Sequence, residues 1–311
     1  MIRFDRVSKV FQGKPVVDDL SLHIAEGEFT VLIGTSGSGK STTLKMINRL
    51  IEHDAGKIYF AGEEIHKFKP QDLRRRMGYA IQSIGLFPHW TVEENIATVP
   101  QLLKWPRARI RERVTELMTL LHLEPERFRR RYPHQLSGGQ QQRVGVARAL
   151  AADPEVLLMD EPFGALDPVT RLTLQKEIAR IHQLSGRTIV LVTHDIDEAL
   201  GLANRIVLLE QGRVVQQGTP LALLTEPIND VVRDFFGRSD RGIKLLALGT
   251  VAERMRPGSA EGEPIQAAMS LRDALSVFVA RGSERLPVIG EQGEALGVLH
   301  FSDLIAQKAL S

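Results

Sequence analysis

The chain has 311 residues and nearly balanced charges, with 40 lysines and arginines against 38 aspartates and glutamates. This balance gives no support for a nucleic-acid partner, and the absence of cysteine excludes disulfides, thiol catalysis and cysteine-ligated metal. The N-terminus lacks the apolar core of a signal peptide, and no apolar run approaches the about 20 residues of a membrane span. The length predicts about two domains with a substantial core.

The first chemical motif lies between an apolar run and a helical pattern. Residues 29–33 indicate a buried strand, residues 34–41 follow the pattern G-x-x-x-x-G-K-S, and the next segment has a helical period. Such a loop holds phosphates with backbone N–H groups, while Lys40 reaches the β- and γ-phosphates and the Ser41 hydroxyl ligates Mg²⁺. A glycine-rich turn that only caps a helix is the alternative. The predicted nucleotide-binding residues are Gly34, Ser36, Gly37, Ser38, Gly39, Lys40, Ser41 and Thr42.

Three further apolar runs also stop abruptly at polar residues. Runs that are apolar at every position favour strands of a parallel sheet covered on both faces. Ligands bind beyond the carboxyl ends of such strands, so we expect the polar residues to converge beside the phosphate loop. The runs with the residues that follow them are 77–81 before Gln82, 156–159 before Asp160 and Glu161, and 188–193 before His194.

These strand-end residues have separable predicted roles. Asp160 is placed to hold Mg²⁺, because hard cations take oxygen ligands. Glu161 is the candidate general base or water-orienting carboxylate for attack on the γ-phosphate. His194 is a predicted γ-phosphate contact, and Gln82 is a predicted ligand of Mg²⁺ and water. The alternatives are that residues 160–162 simply begin a loop and that His194 is structural.

A second glycine-containing segment, residues 136–140, precedes another helical pattern. Its serine and glutamine form a capping box, so an ordinary helix start is one interpretation. Its two glycines remove side chains where a helix N-terminus approaches an anion closely, which instead favours a second phosphate-binding helix end. That end would face the nucleotide of another copy of the chain. The predicted binding residues are Leu136, Ser137, Gly138, Gly139 and Gln140.

In this order, these motifs resemble the ATP-binding cassette (ABC) ATPases over roughly residues 1–237. The resemblance implies an α/β fold, with a RecA-like P-loop NTPase core, an antiparallel β subdomain and a helical subdomain at about residues 88–154. It also implies a head-to-tail homodimer that holds two ATP molecules with Mg²⁺. Phe11 matches the aromatic residue that stacks on adenine, although the bare sequence allows a core position. Asp167, in the sequence Ala165-Leu166-Asp167, matches the loop that couples the two sites.

Residues 83–101 carry Phe87 and Trp90, which would suit a groove for a permease helix if they are exposed. A helical-subdomain core is the alternative for these aromatics.

The tail changes character after residue 237. Residues 238–264 are predicted to be a linker, and residues 265–311 show a β-α-β-β-α pattern that resembles a single CBS motif. A capping box at Ser270 opens its first helix, and a closing helix is predicted around Leu304 to Lys308. Gly297 and Asp303 match the nucleotide-binding pattern of that family, but His300 replaces its hydroxyl residue. One motif in each chain suggests pairing across the dimer, so we expect dimerisation or regulation.

A cassette with a CBS-like tail resembles the ATPase subunits of bacterial importers for glycine betaine, choline, carnitine and proline betaine. The phosphate loop with its helix, and residues 81–89, are similar to that group in particular. The resemblance implies integral-membrane permease subunits, indirectly a substrate-binding protein, and a peripheral location on the cytoplasmic face of the inner membrane. An ATPase of another importer and a soluble ABC protein without a transport role are the alternatives.

Overall fold

The computed structural model of the protein describes residues 1–81, 85–164 and 166–305. The chain forms two compact units, of which the first comprises Met1–Thr219 and the second begins at Pro220. Among the helices in the described ranges, none is long and apolar enough to cross a bilayer.

The first unit contains two sheets and a group of helices. Its strands are β1 (Ile2–Phe11), β2 (Lys14–Ile24), β3 (Phe29–Ile33), β4 (Ala55–Phe60), β5 (Glu63–Glu64), β6 (Met77–Ala80), β7 (Val156–Asp160), β8 (Thr188–Val192), β9 (Arg205–Glu210) and β10 (Arg213–Gly218). Its helices are α1 (Lys40–Ile47), α2 (Pro70–Arg75), α3 (Val92–Leu102), α4 (Arg107–Leu120), α5 (Pro125–Phe128), α6 (Gly138–Leu150), α7 (Pro168–Ser185) and α8 (Ile196–Leu202), with 3₁₀ turns at Ile65–Lys67 and Pro133–Gln135.

The larger sheet has the strand order β10-β9-β3-β8-β7-β6. Strands β9, β3, β8, β7 and β6 pair in parallel, and only β10 is antiparallel to its neighbour β9. Every residue of β3, β7 and β8 is buried, as a strand covered on both faces requires. The predicted α/β core is therefore confirmed, and its parallel strands all direct their carboxyl ends to one edge.

The smaller sheet is antiparallel and has the order β2-β1-β4-β5. Its apolar face contributes to the same buried cluster as α1 and the core strands. Helices α3 to α6 lie in the chain between β6 and β7 and form the predicted helical subdomain. Thr91 is the N-cap of α3. Its side chain accepts the Glu94 N–H, and the Glu94 side chain accepts the Thr91 N–H, so the two residues form a capping box.

The second unit begins with four short helices and continues with a small α+β module. The helices are α9 (Pro220–Thr225), α10 (Asp230–Phe235), α11 (Arg241–Leu248) and α12 (Val251–Arg254), and the module consists of β11 (Ile265–Gln266), α13 (Leu271–Arg281), β12 (Arg285–Ile289), β13 (Ala295–His300) and α14 (Phe301–Ile305). Ser270 caps α13 by accepting the N–H of Asp273 at 3.0 Å, as predicted. The closing helix begins three residues before Leu304, whereas Lys308 lies outside the described residues.

The division between the units differs from the predicted boundary after residue 237. The Arg241 guanidinium donates to the Thr225 carbonyl at 3.1 Å, and the Lys244 ammonium donates to the Phe236 carbonyl at 2.7 Å. These bonds tie residues 220–237 to α11 in the second unit. Two helices, α11 and α12, also lie in the segment that the composition predicts to be a linker. The content of glycine and charged residues in residues 238–264 predicted irregular structure. Composition does not reveal contacts between residues that are distant in the sequence, so these two helices were not predicted.

Asp303 is a buried acid of the second unit. It is only 3% exposed, forms an ion pair with the Arg256 guanidinium, and accepts the His300 N–H at 3.2 Å. Gly297 lies against the same segment, because a Cβ at this position would come within 2.3 Å of the Arg256 carbonyl oxygen. Two residues that match the family's nucleotide-binding pattern are thus used for contacts within the chain.

Replacing Arg256 with Ala is expected to destabilise the second unit by about 1–3 kcal/mol, because it leaves the buried carboxylate of Asp303 without its counter-ion. Native-state hydrogen exchange of the amides of β12 and β13 measures this loss locally. Arg285→Ala, which removes an exposed arginine from the same module, is the matched control and should leave exchange nearly unchanged. Equal protection in the two variants would contradict the expectation.

Candidate functional site

The loop between β3 and α1 has a backbone that depends on glycine at two positions. Gly34 has φ 154°, and a Cβ there would lie 2.0 Å from the Leu209 carbonyl oxygen. Gly39 has φ 95°, and its Cβ would lie 2.5 Å from the Val16 carbonyl oxygen. Any side chain at these positions would therefore force the backbone apart. The loop curls tightly before α1, where the Ser38 N–H donates to the Thr35 carbonyl at 3.2 Å, and a glycine loop that ends at a helix N-terminus is suited to binding an anion.

Lys40 lies at the first position of α1 with its ammonium folded back over the loop. Its Nζ donates to the Gly34 and Thr35 carbonyls at 2.9 and 2.7 Å and to the Ser38 hydroxyl at 3.3 Å. Burial lowers the pKa of Lys40, while the nearby carboxylates of Glu161 and Asp160 act in the opposite direction. The ammonium is thus positioned between the loop and the two acids.

Ser41 and Asp160 meet at the base of the site, as the sequence predicted. The Ser41 hydroxyl donates to Asp160 Oδ1 at 2.7 Å, and the Asp160 carboxylate is nearly buried at the end of β7. The Lys45 ammonium lies 3.6 Å from Asp160 Oδ2. A hydroxyl and a carboxylate at this separation form an oxygen pair of the kind that a hard divalent cation prefers.

Glu161 and His194 follow the ends of β7 and β8 and come together. His194 Nδ1 lies 3.4 Å from Glu161 Oε1. Glu161 has a left-handed backbone with φ 45°, and its N–H donates to the Val192 carbonyl at 2.9 Å. A non-glycine residue in this region carries strain, and such strain is concentrated at functional sites. The bend turns the Glu161 side chain away from the path of the strand and towards the cavity.

These residues surround a cavity of about 280 Å³. Its walls are formed by Val16, Ser36, Gly37, Gly39, Lys40, Ser41, Thr42, Glu161 and His194. The cavity therefore unites most of the predicted loop residues with both predicted catalytic residues. Phe11 is not among its walls; it is 43% exposed at the end of β1, in the hairpin that also carries Val16. Gln82 lies outside the described residues.

The segment from Leu136 to Gln140 does not reach this cavity. The Ser137 hydroxyl accepts the Gln140 N–H at 3.3 Å, and the Gln140 side chain accepts the Ser137 N–H at 3.0 Å, so the capping box is present. The segment is largely exposed apart from Leu136, and a Cβ on Gly139 would come within 2.6 Å of the Thr170 side chain. Asp167 caps α7 by accepting two backbone N–H groups.

Three residues near the site were missed by the sequence analysis. Lys45 is one helical turn after Ser41, a spacing that places both side chains on one face of α1 and that could have indicated its contact with Asp160. Val16 reaches the loop only because the first hairpin folds over it. Tyr79 lies near Asp160, and its burial, followed by the charge of Asp160, raises the pKa of its phenol, which therefore remains protonated.

A glycine loop at the end of a parallel strand, with a lysine, a hydroxyl and a carboxylate lining one cavity and a second carboxylate bonded to that hydroxyl, defines a P-loop nucleoside triphosphatase. The antiparallel sheet and the helical insertion between β6 and β7 further define an ATP-binding cassette. Comparison with known families agrees, because the ABC transporter family matches residues 17–164 and the CBS domain family matches residues 264–309.

Known proteins resemble the chain over most of its length. It is 67% identical to the glycine betaine uptake system ATP-binding protein YehX of Escherichia coli, over 99% of the chain and 100% of that protein. It is 54% identical to the glycine betaine/carnitine/choline transport ATP-binding protein OpuCA of Bacillus subtilis, over 76% of the chain and 63% of that protein. The chain therefore belongs to the ABC transporter family, as an ATPase subunit with a C-terminal CBS domain.

Solved cassettes have the same fold. The dimeric structure of a bacterial ABC transporter cassette matches with a TM-score of 0.65 and 34% identity, covering 71% of this chain and 99% of that one. A dimeric post-hydrolysis state of the same cassette, bound to ADP and phosphate, matches with a TM-score of 0.64.

Proposed function

We propose that the chain is the ATP-hydrolysing subunit of an importer for glycine betaine or a related quaternary amine. The observation that carries this proposal is the 67% identity over essentially the whole chain to a protein named for glycine betaine uptake. No residue of the described site needs to contact the transported amine. The substrate class therefore rests on similarity, whereas the ATPase chemistry rests on the geometry of the cavity.

The residues of the cavity have distinct parts in ATP hydrolysis. The loop N–H groups and Lys40 bind the phosphates, and Ser41 and Asp160 would hold Mg²⁺, which neutralises phosphate charge when bound. Glu161 accepts a hydrogen bond from the attacking water and orients it towards the γ-phosphorus. His194, whose Nδ1 lies 3.4 Å from Glu161 Oε1, would contact the γ-phosphate.

A second copy of the chain would complete the site. The cavity is open, and none of its walls comes from residues 136–140, whose capped helix start is exposed. The N–H groups at that helix start would bind the γ-phosphate held by the other copy, so that ATP joins the two copies. Hydrolysis removes the bridging charge, and the pair can reopen. Asp167 caps the helix whose Thr170 lies against Gly139, and it would link the two sites.

The helical subdomain offers a surface for the permease. Phe87 and Trp90 are 44% and 38% exposed, and their rings lie 4.5 Å apart. A pair of exposed aromatic rings suits contact with a helix of a membrane-embedded subunit. We propose that this contact transmits the closure of the dimer and holds the chain on the cytoplasmic face of the inner membrane. A substrate-binding protein would deliver the amine from the other side.

The CBS domain would serve dimerisation or regulation. Its helices α13 and α14 leave Val279, Phe301 and Ile305 exposed, which provides apolar surface for pairing with a second copy. Because the Asp303 carboxylate forms an ion pair with the Arg256 guanidinium, we do not assign nucleotide binding to this domain.

Uptake of labelled glycine betaine tests the proposed substrate. Cells that lack other betaine importers and carry the chain with its cognate permease are expected to accumulate the label, and more so at high osmolarity. Cells with the Glu161→Gln variant should not. Labelled choline, carnitine and spermidine distinguish the quaternary amines from other substrates of related importers. Uptake of spermidine but of no quaternary amine, again dependent on Glu161, would overturn the substrate class and retain the ATPase.

A further inference from the structure

Two histidines and a glutamate form a cluster that has no part in the proposed ATPase site. His53 lies in the turn between α1 and β4, and His66 lies in the 3₁₀ turn Ile65–Lys67. One ligand atom from each of Glu52, His53 and His66 lies within 4.8 Å of the others. The His66 ring nitrogen Nε2 is 3.0 Å from Glu52 Oε2, and the two imidazole rings are 4.7 Å apart. Across the three described ranges, this is the one group of three or more such residues that lies close enough to hold a metal ion.

Arg49 joins the two chain segments that carry the cluster. The Arg49 guanidinium donates to the Phe68 carbonyl at 3.0 Å and to Glu52 Oε1 at 2.9 Å. It therefore ties the turn that carries Glu52 and His53 to the segment that follows His66. Glu52 keeps its second oxygen, Oε2, directed to the histidines. A site whose ligands are already held in place loses less conformational entropy when an ion binds.

His53 carries the second, independent observation. Its Nδ1 atom is buried from solvent and has no hydrogen-bond partner. A buried polar atom without a partner is costly, so it requires an explanation such as an ion.

We propose that Glu52, His53 and His66 form a binding site for a zinc-like divalent transition-metal ion, with solvent in the remaining position. Imidazole nitrogen selects zinc, nickel or copper over magnesium and calcium, which take oxygen ligands. Tetrahedral zinc with bonds of about 2.0–2.1 Å places its ligand atoms roughly 3.4 Å apart, which lies between the 3.0 Å of the His66–Glu52 pair and the 4.8 Å within which all three ligand atoms fall. Arg49 holds Glu52, and the half-exposed side chain of His66 can make the remaining adjustment.

The expected consequence is a cross-link within the cassette. A bound ion would join the turn after α1, the helix that carries Lys40 and Ser41, to the end of the β4–β5 hairpin. None of its three residues lines the cavity of the proposed ATPase site, so the inference does not depend on the proposed transport function.

Competition with a chromophoric zinc chelator tests the site. The purified, metal-free full chain is titrated with Zn²⁺ in excess Mg²⁺, which saturates the oxygen-ligand site at Asp160. One equivalent of Zn²⁺ is expected to bind, and His53→Asn and His66→Gln should each weaken that binding at least about tenfold, since even loss of outer partners of a metal site costs about 10–100-fold.

His122→Gln is the matched control, because His122 Nε2 lies 3.0 Å from Glu177 in a histidine–carboxylate pair that lacks a second histidine. It should leave the zinc affinity unchanged. Absence of zinc binding by the wild-type chain, or undiminished binding by His66→Gln, would overturn the proposal. If His53→Asn fails to fold, the half-exposed His66 still provides the test.

Discussion

Replacing Glu161 with Gln is expected to slow ATP hydrolysis by about 100- to 10,000-fold while leaving ATP binding intact. The amide retains the size of the side chain but can no longer act as the base for the attacking water. Lys40, Ser41 and the loop N–H groups, which are the proposed phosphate ligands, are untouched by the change. Because ATP stays unhydrolysed, a closed dimer should accumulate. Phosphate release measures the first effect, and size-exclusion chromatography in ATP measures the second.

A suitable control for this variant is Glu155→Gln. Glu155 immediately precedes β7 and forms a surface ion pair with Arg76 at 2.6 Å. Surface ion pairs contribute little to stability, so hydrolysis should remain near the wild-type rate. Near-normal turnover in Glu161→Gln would show that another group activates the water.

Replacing Lys40 with Met is expected to weaken ATP binding by about 10- to 150-fold. A hydrogen bond to a charged group contributes about 1.5–3 kcal/mol, and the ammonium is the cation nearest to the phosphate positions of the loop. Fluorescence titration with a labelled ATP analogue measures the affinity. Lys176→Met, which removes an exposed lysine from α7, should bind the analogue like the wild type.

Thermal unfolding without nucleotide separates the two effects of the Lys40 change. The variant also loses three hydrogen bonds within the loop, so a modest fall in melting temperature is expected. A normal affinity for the analogue, combined with that fall, would mean that Lys40 only holds the loop.

Much of the site could be predicted because its chemistry fixes both residue type and spacing. A phosphate loop needs glycines, a lysine and a hydroxyl at set intervals, and Gly34 to Ser41 provide them within eight residues. Asp160, Glu161 and His194 could be assigned because buried strands show uninterrupted apolar runs, and their ends are visible in the sequence. The parallel sheet was predicted from the same runs, whereas the RecA-like core was implied by the family resemblance.

Other features depend on contacts between distant residues and leave no local pattern. The left-handed backbone of Glu161 follows from how β7 and β8 lie side by side. Residues 220–237 belong to the second unit through bonds made by Arg241 and Lys244. The approach of His53 to His66 follows from the register of the antiparallel sheet. Neither spacing nor hydropathy along the chain encodes such geometry.

The three oxygen partners of Lys40 also bear on how the catalytic cycle ends. If the buried Lys40 ammonium had no hydrogen-bond acceptors after ADP and phosphate leave, its desolvation would raise the free energy of the empty site. Product release would then be slower. In this structure the carbonyls of Gly34 and Thr35 already accept hydrogen bonds from the Lys40 ammonium. On the proposed role of Lys40, nucleotide binding exchanges these acceptors for phosphate oxygens, and product departure reverses the exchange. The lysine proposed to attract ATP therefore has acceptors in place when the site empties, which would favour release over retention.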